Sequence, residues 1–195
     1  MSARDDEPVS VELDADPALA AKLRRAYERG RLKRAVLHAS PALLFVVASS
    51  FPLVHGATSM TALLQGGALY LSAVLGLWLG GGAAAAVRPA LLFGLVPFVI
   101  VRVAESTGHI CTGTECVSWC LPACAIGGTL GGALVGLRAA RERDRLAFVL
   151  TSATLVFLAG TLACQCAGGS GILGIAAGVL LGSFAPLVLT PSRAA

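Results

Sequence analysis

The sequence predicts an all-α protein, a polytopic bundle of six transmembrane helices arranged as three hairpins with both termini inside. Three observations predict this fold. Hydrophobic residues make up 56% of the 195 residues and charged residues only 13%, against about 25% charged residues in an average soluble domain. The apolar residues form six long runs, and these runs do not alternate like the strands of a β-barrel. The basic residues lie almost entirely on one side of the runs.

A charged arm, residues 1–34, precedes the first apolar run. It begins acidic and turns basic from Lys22. Asp16 followed by Pro17 is typical of the start of a helix, so part of the arm is predicted to be helical. Two interpretations remain open. The arm is either a solvated flank that sets the topology, or a docking helix for a protein partner or for anionic lipid headgroups.

The six apolar runs have the lengths of membrane spans. A helix needs roughly 20 residues, with a tolerated range of about 17 to 25, to cross about 30 Å of hydrocarbon. Five runs reach this range, and the third reaches it only with flanking residues. Residues 35–190 are therefore predicted to form one transmembrane domain, followed by a tail, residues 191–195. The runs are Ala35–Val54, Met60–Gly82, Pro89–Ala104, Val117–Leu137, Leu146–Ala163 and Gly171–Leu189.

The distribution of Lys and Arg predicts the orientation. If the spans alternate in direction, fourteen of the fifteen basic residues lie on one side, including Arg88 in the turn after the second span, and only Arg102 lies near the other. Positive residues favour the cytoplasmic side. Both termini are therefore predicted to be cytoplasmic, in a bacterial inner membrane. The fourteen are Arg4, Lys22, Arg24, Arg25, Arg29, Arg31, Lys33, Arg34, Arg88, Arg138, Arg141, Arg143, Arg145 and Arg193.

Glycines recur at a spacing of four in the second, fourth and sixth spans. Small residues let membrane helices approach closely, so these spans are predicted to form the inner contact of the bundle as glycine zippers. The odd-numbered spans, richer in Phe and Pro, are predicted to form an outer ring. The same glycine-rich helix faces also suit packing between copies of the chain in a homo-oligomer. The glycines are Gly76 and Gly80; Gly127, Gly128, Gly131, Gly132 and Gly136; and Gly174, Gly178 and Gly182.

All six cysteines fall at the outer ends of the predicted spans or in outer loops. Disulfides persist on the outer face of a bacterial inner membrane, and six cysteines allow about 15 pairings. The short loop between the fourth and fifth spans makes those spans antiparallel neighbours. We therefore expect the segment with the first two cysteines to be tied to the turn that holds the last two. The cysteines are Cys111, Cys116, Cys120, Cys124, Cys164 and Cys166.

A thiol–disulfide or electron-transfer role is one chemical alternative for these cysteines. If the fourth helix starts at Pro122, Cys124 falls in its first turn, where the helix dipole favours the thiolate. Arg102, near the same end, is a candidate to support that thiolate. Pro122, Cys124 and Arg102 together therefore suggest that Cys124 is a reactive cysteine.

A soft-metal site is the other chemical alternative. If the helix starts earlier, Cys116, Cys120 and Cys124 line one stripe of it. Thiolates select ions such as Cu(I) or Zn(II). His109 and His55, both in outer segments, are weaker candidates as further ligands.

No catalytic or nucleotide-binding motif occurs in the sequence, and no ionisable residue lies at the predicted centre of the bilayer. The net charge of +4 comes from clusters between the apolar runs and does not indicate nucleic-acid binding. The sequence thus favours a non-enzymatic membrane subunit or scaffold without a cofactor, with a disulfide-stabilised outer face. Thiol-redox or Cu/Zn handling is the alternative. A transporter comes third, because Pro41–Phe45 recurs as Pro89–Phe93, typical of repeated hairpins.

Overall fold

The computed structural model of the protein describes residues 17–50, 59–107, 109–112, 115–164 and 168–189. Within these ranges the chain forms seven helices and one small antiparallel hairpin of two strands. The elements are α1 Pro17–His38, α2 Pro41–Ser50, α3 Ser59–Leu79, α4 Gly81–Thr107, β1 His109–Thr112, β2 Glu115–Ser118, α5 Cys120–Ala139, α6 Arg145–Ala163 and α7 Gly168–Leu189.

The helices have the length and composition of membrane spans, as predicted, but the number six is not confirmed. Among the described residues, four helices are long and apolar enough to cross a membrane, and the bent pair α1–α2 makes a fifth if it counts as one span. The apolar part of α7, Ser170–Pro186, is shorter. The four are Met60–Leu79, Gly81–Ala104, Leu121–Ala139 and Arg145–Ala163.

The first predicted span is broken. The chain turns at Ala39 and Ser40, and α1 and α2 meet at an angle of 42°. Pro41 causes the break, because it lacks an amide N–H and disfavours helical backbone at the residue before it. On α1 the exposed, basic surface extends to Arg34, with only Arg31 half-buried, and buried apolar contacts begin at Ala35. The predicted end of this span, Val54, lies outside the described residues.

The third span begins eight residues earlier than the sequence predicted. α4 starts at Gly81, and its apolar part runs to Ala104, 24 residues. Gly80 and Gly81 form the turn at its start, with φ of 78° and 55°. Residues with a side chain rarely adopt these backbone angles, whereas glycine adopts them readily. The prediction that Arg88 lies in this turn is wrong. Arg88 lies within α4 with its side chain exposed, as a long cationic side chain does when it reaches toward an interface.

The centre of the bundle is formed by α4 and α6. Phe148, Leu155 and Leu162 of α6 are fully buried, and 56% of the apolar window of this helix is buried against 33% for α3. α6 contacts α3, α4, α5 and α7. The expected outer ring of odd-numbered spans is therefore wrong. Bulky residues fill this core, whereas glycine is needed only where two backbones meet.

Glycines bring the backbones of α5 and α7 into close contact. A Cβ on Gly132 would lie 2.5 Å from the carbonyl oxygen of Val179, and a Cβ on Gly128 would lie 2.8 Å from that of Ile175. From the other side, a Cβ on Gly178 would lie 2.6 Å from the Ala125 carbonyl oxygen. Of the three glycine-rich spans, α5 and α7 thus pack against each other within one chain. The third, α3, lies apart from this pair and contacts α6, α4, α2 and α1.

The bundle has two chemically different ends. At one end, which we call the basic end (residues 27–38, 79–88 and 138–145), the α5–α6 loop meets the α3–α4 turn, with Asp144 against Gly82. Arg31 of α1 lies against Gly80 in the same place. The other end, the cysteine end (residues 109–112, 115–124 and 164), holds five of the six cysteines, and the sixth, Cys166, lies outside the described residues.

Candidate functional site

A disulfide joins α5 to α6 at the cysteine end. Cys124 and Cys164 are bonded, with a Cα–Cα distance of 6.9 Å and a sequence separation of 40 residues. Both are buried, Cys124 with 0% and Cys164 with 4% of its surface exposed. This contact agrees with the predicted antiparallel pairing of the fourth and fifth spans. The predicted tie to the segment of Cys111 and Cys116 is not found at Cys164, which is bonded to Cys124 instead. For Cys166, which lies outside the described residues, the tie stays a prediction. The disulfide therefore joins the start of α5 to the end of α6 and closes the α5–α6 helical hairpin covalently.

The local sequence explains why each cysteine lies where it does. α6 ends at Ala163, and the Cys164 N–H donates to the carbonyl oxygens of Gly160 and Thr161, each at 3.2 Å. These two bonds close the last turn and leave Cys164 as the cap residue. The buried Thr161 Oγ1–H donates to the Leu158 carbonyl oxygen at 2.9 Å, so this polar group is satisfied within the helix.

On the other helix, α5 starts at Cys120 rather than at Pro122. Pro122 falls in the first turn, where its missing N–H costs nothing. The Ala123 N–H donates to the Trp119 carbonyl oxygen at 3.0 Å. Cys124 therefore lies beyond the unpaired backbone N–H groups at the start of this helix. The expected contact of Cys124 with the open first turn is therefore wrong, because the helix starts two residues earlier, about half a turn.

The β1–β2 hairpin places two further cysteines opposite each other. Cys111 and Cys116 are Cα partners in the antiparallel register. This hairpin was not predicted from the sequence, in which Val117 was assigned to a membrane helix. The predicted helical stripe of Cys116, Cys120 and Cys124 is consequently wrong, since Cys116 lies on β2. The β-branched residues on both sides of the Gly113-Thr114 step were the available signal.

The candidate metal ligands are not brought together in the part of the chain that the structure describes. Within it, no group of three or more His, Cys, Asp or Glu residues could hold a metal ion. His109 lies on β1, at the edge of the cysteine end. His55 and Cys166 lie outside the described residues. Their participation in a site stays a prediction.

Arg102 contacts α2. Its Nη2 donates to the carbonyl oxygens of Ala48 at 3.0 Å and Ser49 at 3.1 Å. Its guanidinium lies 5.8 Å from the centroid of the Phe98 ring, and that ring packs edge-on against Phe45 with centroids 5.3 Å apart. A cation at a helix C-terminus satisfies carbonyl groups that the helix itself leaves open. Support of a cysteine thiolate by Arg102 stays a prediction.

A groove of about 370 Å³ lies at the basic end, between α1 and the last turn of α3. The sequence left two interpretations open for the arm that holds the two arginines, a topology-setting flank or a docking helix for a partner or for anionic lipid headgroups. It did not predict the groove, because a groove between two helices depends on packing that the hydropathy pattern does not record. The groove is lined by Tyr27, Gly30, Arg31, Arg34, Ala35, His38 and Leu77.

No protein-family model matches this chain, and neither curated proteins nor solved structures give a significant match. The function of the protein is therefore inferred from its own geometry.

Proposed function

We propose that the protein is a non-enzymatic membrane subunit or scaffold whose outer face is held by disulfides. The observation that carries this proposal is the burial of the Cys124–Cys164 disulfide between two packed helices. A disulfide that exchanges electrons must be reached by an attacking thiolate. At 0% and 4% exposure, these two cysteines offer little access. The geometry suits a permanent cross-link.

The proposal includes six spans, both termini in the cytoplasm of a bacterium and the cysteine end on the outer side. Its support is the separation of the two ends by α6. This helix has 19 residues, so it is about 28 Å long at ~1.5 Å per residue, close to the ~30 Å of the hydrocarbon layer. The basic end then lies on the cytoplasmic side, where Lys and Arg are favoured. In this topology the sixth span is α7.

Reporter fusions test the topology. A reporter active only in the cytoplasm, placed in the loop at Arg141 or after Ser192, is expected to be active. A reporter active only outside, placed at Gly113, is expected to be active as well. An outward-active signal after Ser192 would contradict the proposed position of the C-terminus and remove one span.

Thiol trapping tests the scaffold role against thiol chemistry. Cells are treated with a membrane-permeant alkylating agent before lysis, and the native protein is then mapped by peptide mass spectrometry. We expect the Cys124–Cys164 link in all molecules, during growth under both oxidising and reducing conditions. A fraction with both cysteines alkylated that rises and falls with the growth conditions would overturn the scaffold proposal.

Membrane thiol–disulfide exchange is the second candidate, and one observation favours it over the metal alternative. Cys111 and Cys116 are direct partners in the hairpin register, and partner Cα atoms in antiparallel strands lie about 4.5–5.5 Å apart. This is within the range for a disulfide. In the trapping experiment, this candidate predicts a reduced fraction at the hairpin while Cys124–Cys164 stays oxidised. Cu or Zn handling and transport are supported by no contact among the described residues and stay predictions.

A further inference from the structure

We propose that the groove between α1 and α3 binds the phosphate of an anionic phospholipid headgroup. We call it the elbow groove, because it ends at the bend between α1 and α2. It is lined by Tyr27, Gly30, Arg31, Arg34, Ala35, His38 and Leu77. This inference concerns the end of the molecule opposite to the disulfide, so it stands independently of the proposed scaffold function.

The polar residues of the elbow groove lie on one face of α1. Arg31 follows Tyr27 by four positions, Arg34 follows Arg31 by three, and His38 follows Arg34 by four. Residues three and four apart are neighbours on a helix surface. The four side chains therefore present an aromatic hydroxyl, two guanidinium groups and an imidazole along a single stripe, which faces Leu77 of α3.

The positive charge of the two arginines is only partly offset by neighbouring acidic groups. Glu28 pairs with Arg24 at 3.1 Å and Glu142 with Arg138 at 3.4 Å. Asp144 packs against Gly82, close to the Gly80 that Arg31 contacts, and offsets part of the charge of Arg31. Within the described part of the chain, neither groove arginine forms an ion pair. An anion placed here gains two guanidinium partners, the groups best suited to phosphate.

The groove is held in a defined shape. The Tyr70 hydroxyl of α3 donates to the Val36 carbonyl oxygen of α1 at 3.1 Å, next to the groove. The side chain of Arg31 reaches the Gly80 backbone, where a Cβ would lie 2.6 Å from its Nη2. His38 donates from Nδ1 to the Arg34 carbonyl oxygen at 2.9 Å, which holds the imidazole ring against α1. The guanidinium group of Arg31 is thus positioned before any ligand arrives.

The position of the groove favours a lipid over a free anion. Leu77 lies in the last turn of a membrane-spanning helix, at the level where the hydrocarbon layer meets the headgroups. Ala35 and Leu77 supply an apolar wall, and the exposed Val36 and Leu37 lie beside it on α1. A headgroup phosphate in the groove would leave its acyl chains against these apolar side chains. Basic pockets on the cytoplasmic side of membrane helices bind anionic headgroups in this way.

Native mass spectrometry and lipid titration of the full-length protein test the inference. The probes are phosphatidylglycerol and phosphatidylcholine, added to the detergent-purified protein. We expect wild type to retain phosphatidylglycerol in preference to phosphatidylcholine. The double variant Arg31→Gln/Arg34→Gln is expected to bind phosphatidylglycerol about thirtyfold more weakly, the effect of two basic residues at an anionic surface.

A matched control removes the same charge away from the groove. Arg25 and Arg29 lie on α1 but off the groove stripe, and Arg25→Gln/Arg29→Gln should retain nearly all of the affinity. Equal losses in the two double variants would overturn the proposal in favour of general surface attraction. Displacement of the lipid by the same concentration of inorganic phosphate would overturn it in favour of a soluble anion. Thermal unfolding of both variants shows whether each is folded when its binding is compared.

Discussion

The contact between α5 and α7 predicts that a single methyl group is enough to weaken the bundle. In the variant Gly132→Ala, the new Cβ would lie 2.5 Å from the Val179 carbonyl oxygen, 2.9 Å from its Cα and 3.0 Å from its carbonyl carbon. Ordinary contact begins at 3.4 Å, so the two helices must separate by almost an ångström. All three atoms belong to the backbone and cannot turn away as a side chain does.

The expected loss of stability in Gly132→Ala follows from the energetic cost of overpacking. An extra methyl group in a closely packed interior costs about 1–3 kcal/mol. Against this, Ala is favoured over Gly in a helix by up to about 1 kcal/mol. We therefore expect Gly132→Ala to lower the free energy of unfolding by about 1–2 kcal/mol. The measurement is unfolding of the detergent-purified protein by increasing fractions of a denaturing detergent, followed by the loss of helical circular dichroism.

The matched control is Gly67→Ala in α3, where a Cβ would meet nothing within 4 Å. This variant carries the same change in helix propensity without the clash, and we expect its stability to equal or exceed that of the wild type. The difference between the two variants isolates the helix contact. Equal stability of Gly132→Ala and Gly67→Ala would refute the close backbone approach of α5 and α7.

Three further predictions concern the cysteine end and the C-terminal end of α2. The double variant Cys124→Ala/Cys164→Ala should lose about 2–4 kcal/mol of stability under non-reducing conditions; unchanged unfolding would show that the cross-link does not restrain the chain. Peptide mapping without reductant should find Cys111 linked to Cys116, as their register allows, and a Cys111 peptide joined to another cysteine would contradict that pairing. Arg102→Gln should lose about 0.5–1.5 kcal/mol, because two carbonyl oxygens of α2, one exposed and one part-buried, lose their donor; unfolding at the wild-type midpoint would show that water or lipid satisfies them equally well.

The membrane character of the fold was predictable because hydropathy is a local property of the sequence. α3 and α6 lie close to the predicted runs, and the meeting of Cys124 with Cys164 followed from one short loop. Burial was not predictable in the same way. Lipid chains are as apolar as a protein core, so a hydrophobic helix such as α6 looks the same in sequence whether it lies at the centre or at the periphery.

The details that were missed depend on short segments or on packing between distant ones. The four-residue strands β1 and β2 are too short for a pattern of alternation to be recognised. Arg88 was taken as a marker of a turn, although the two consecutive glycines Gly80 and Gly81 were the better signal. The elbow groove joins α1 to the end of α3, and no local pattern in either segment indicates it.

The hydrogen bonds from Arg102 to α2 also impose an order on the assembly of the bundle. They connect residues 54 and 53 positions apart, so the C-terminal carbonyl groups of α2 are synthesised well before the guanidinium that satisfies them. Until Arg102 has been made and α4 packs beside α2, these carbonyl groups need other hydrogen-bond partners. The C-terminal end of α2 therefore acquires its final contacts only when roughly half of the protein has been synthesised.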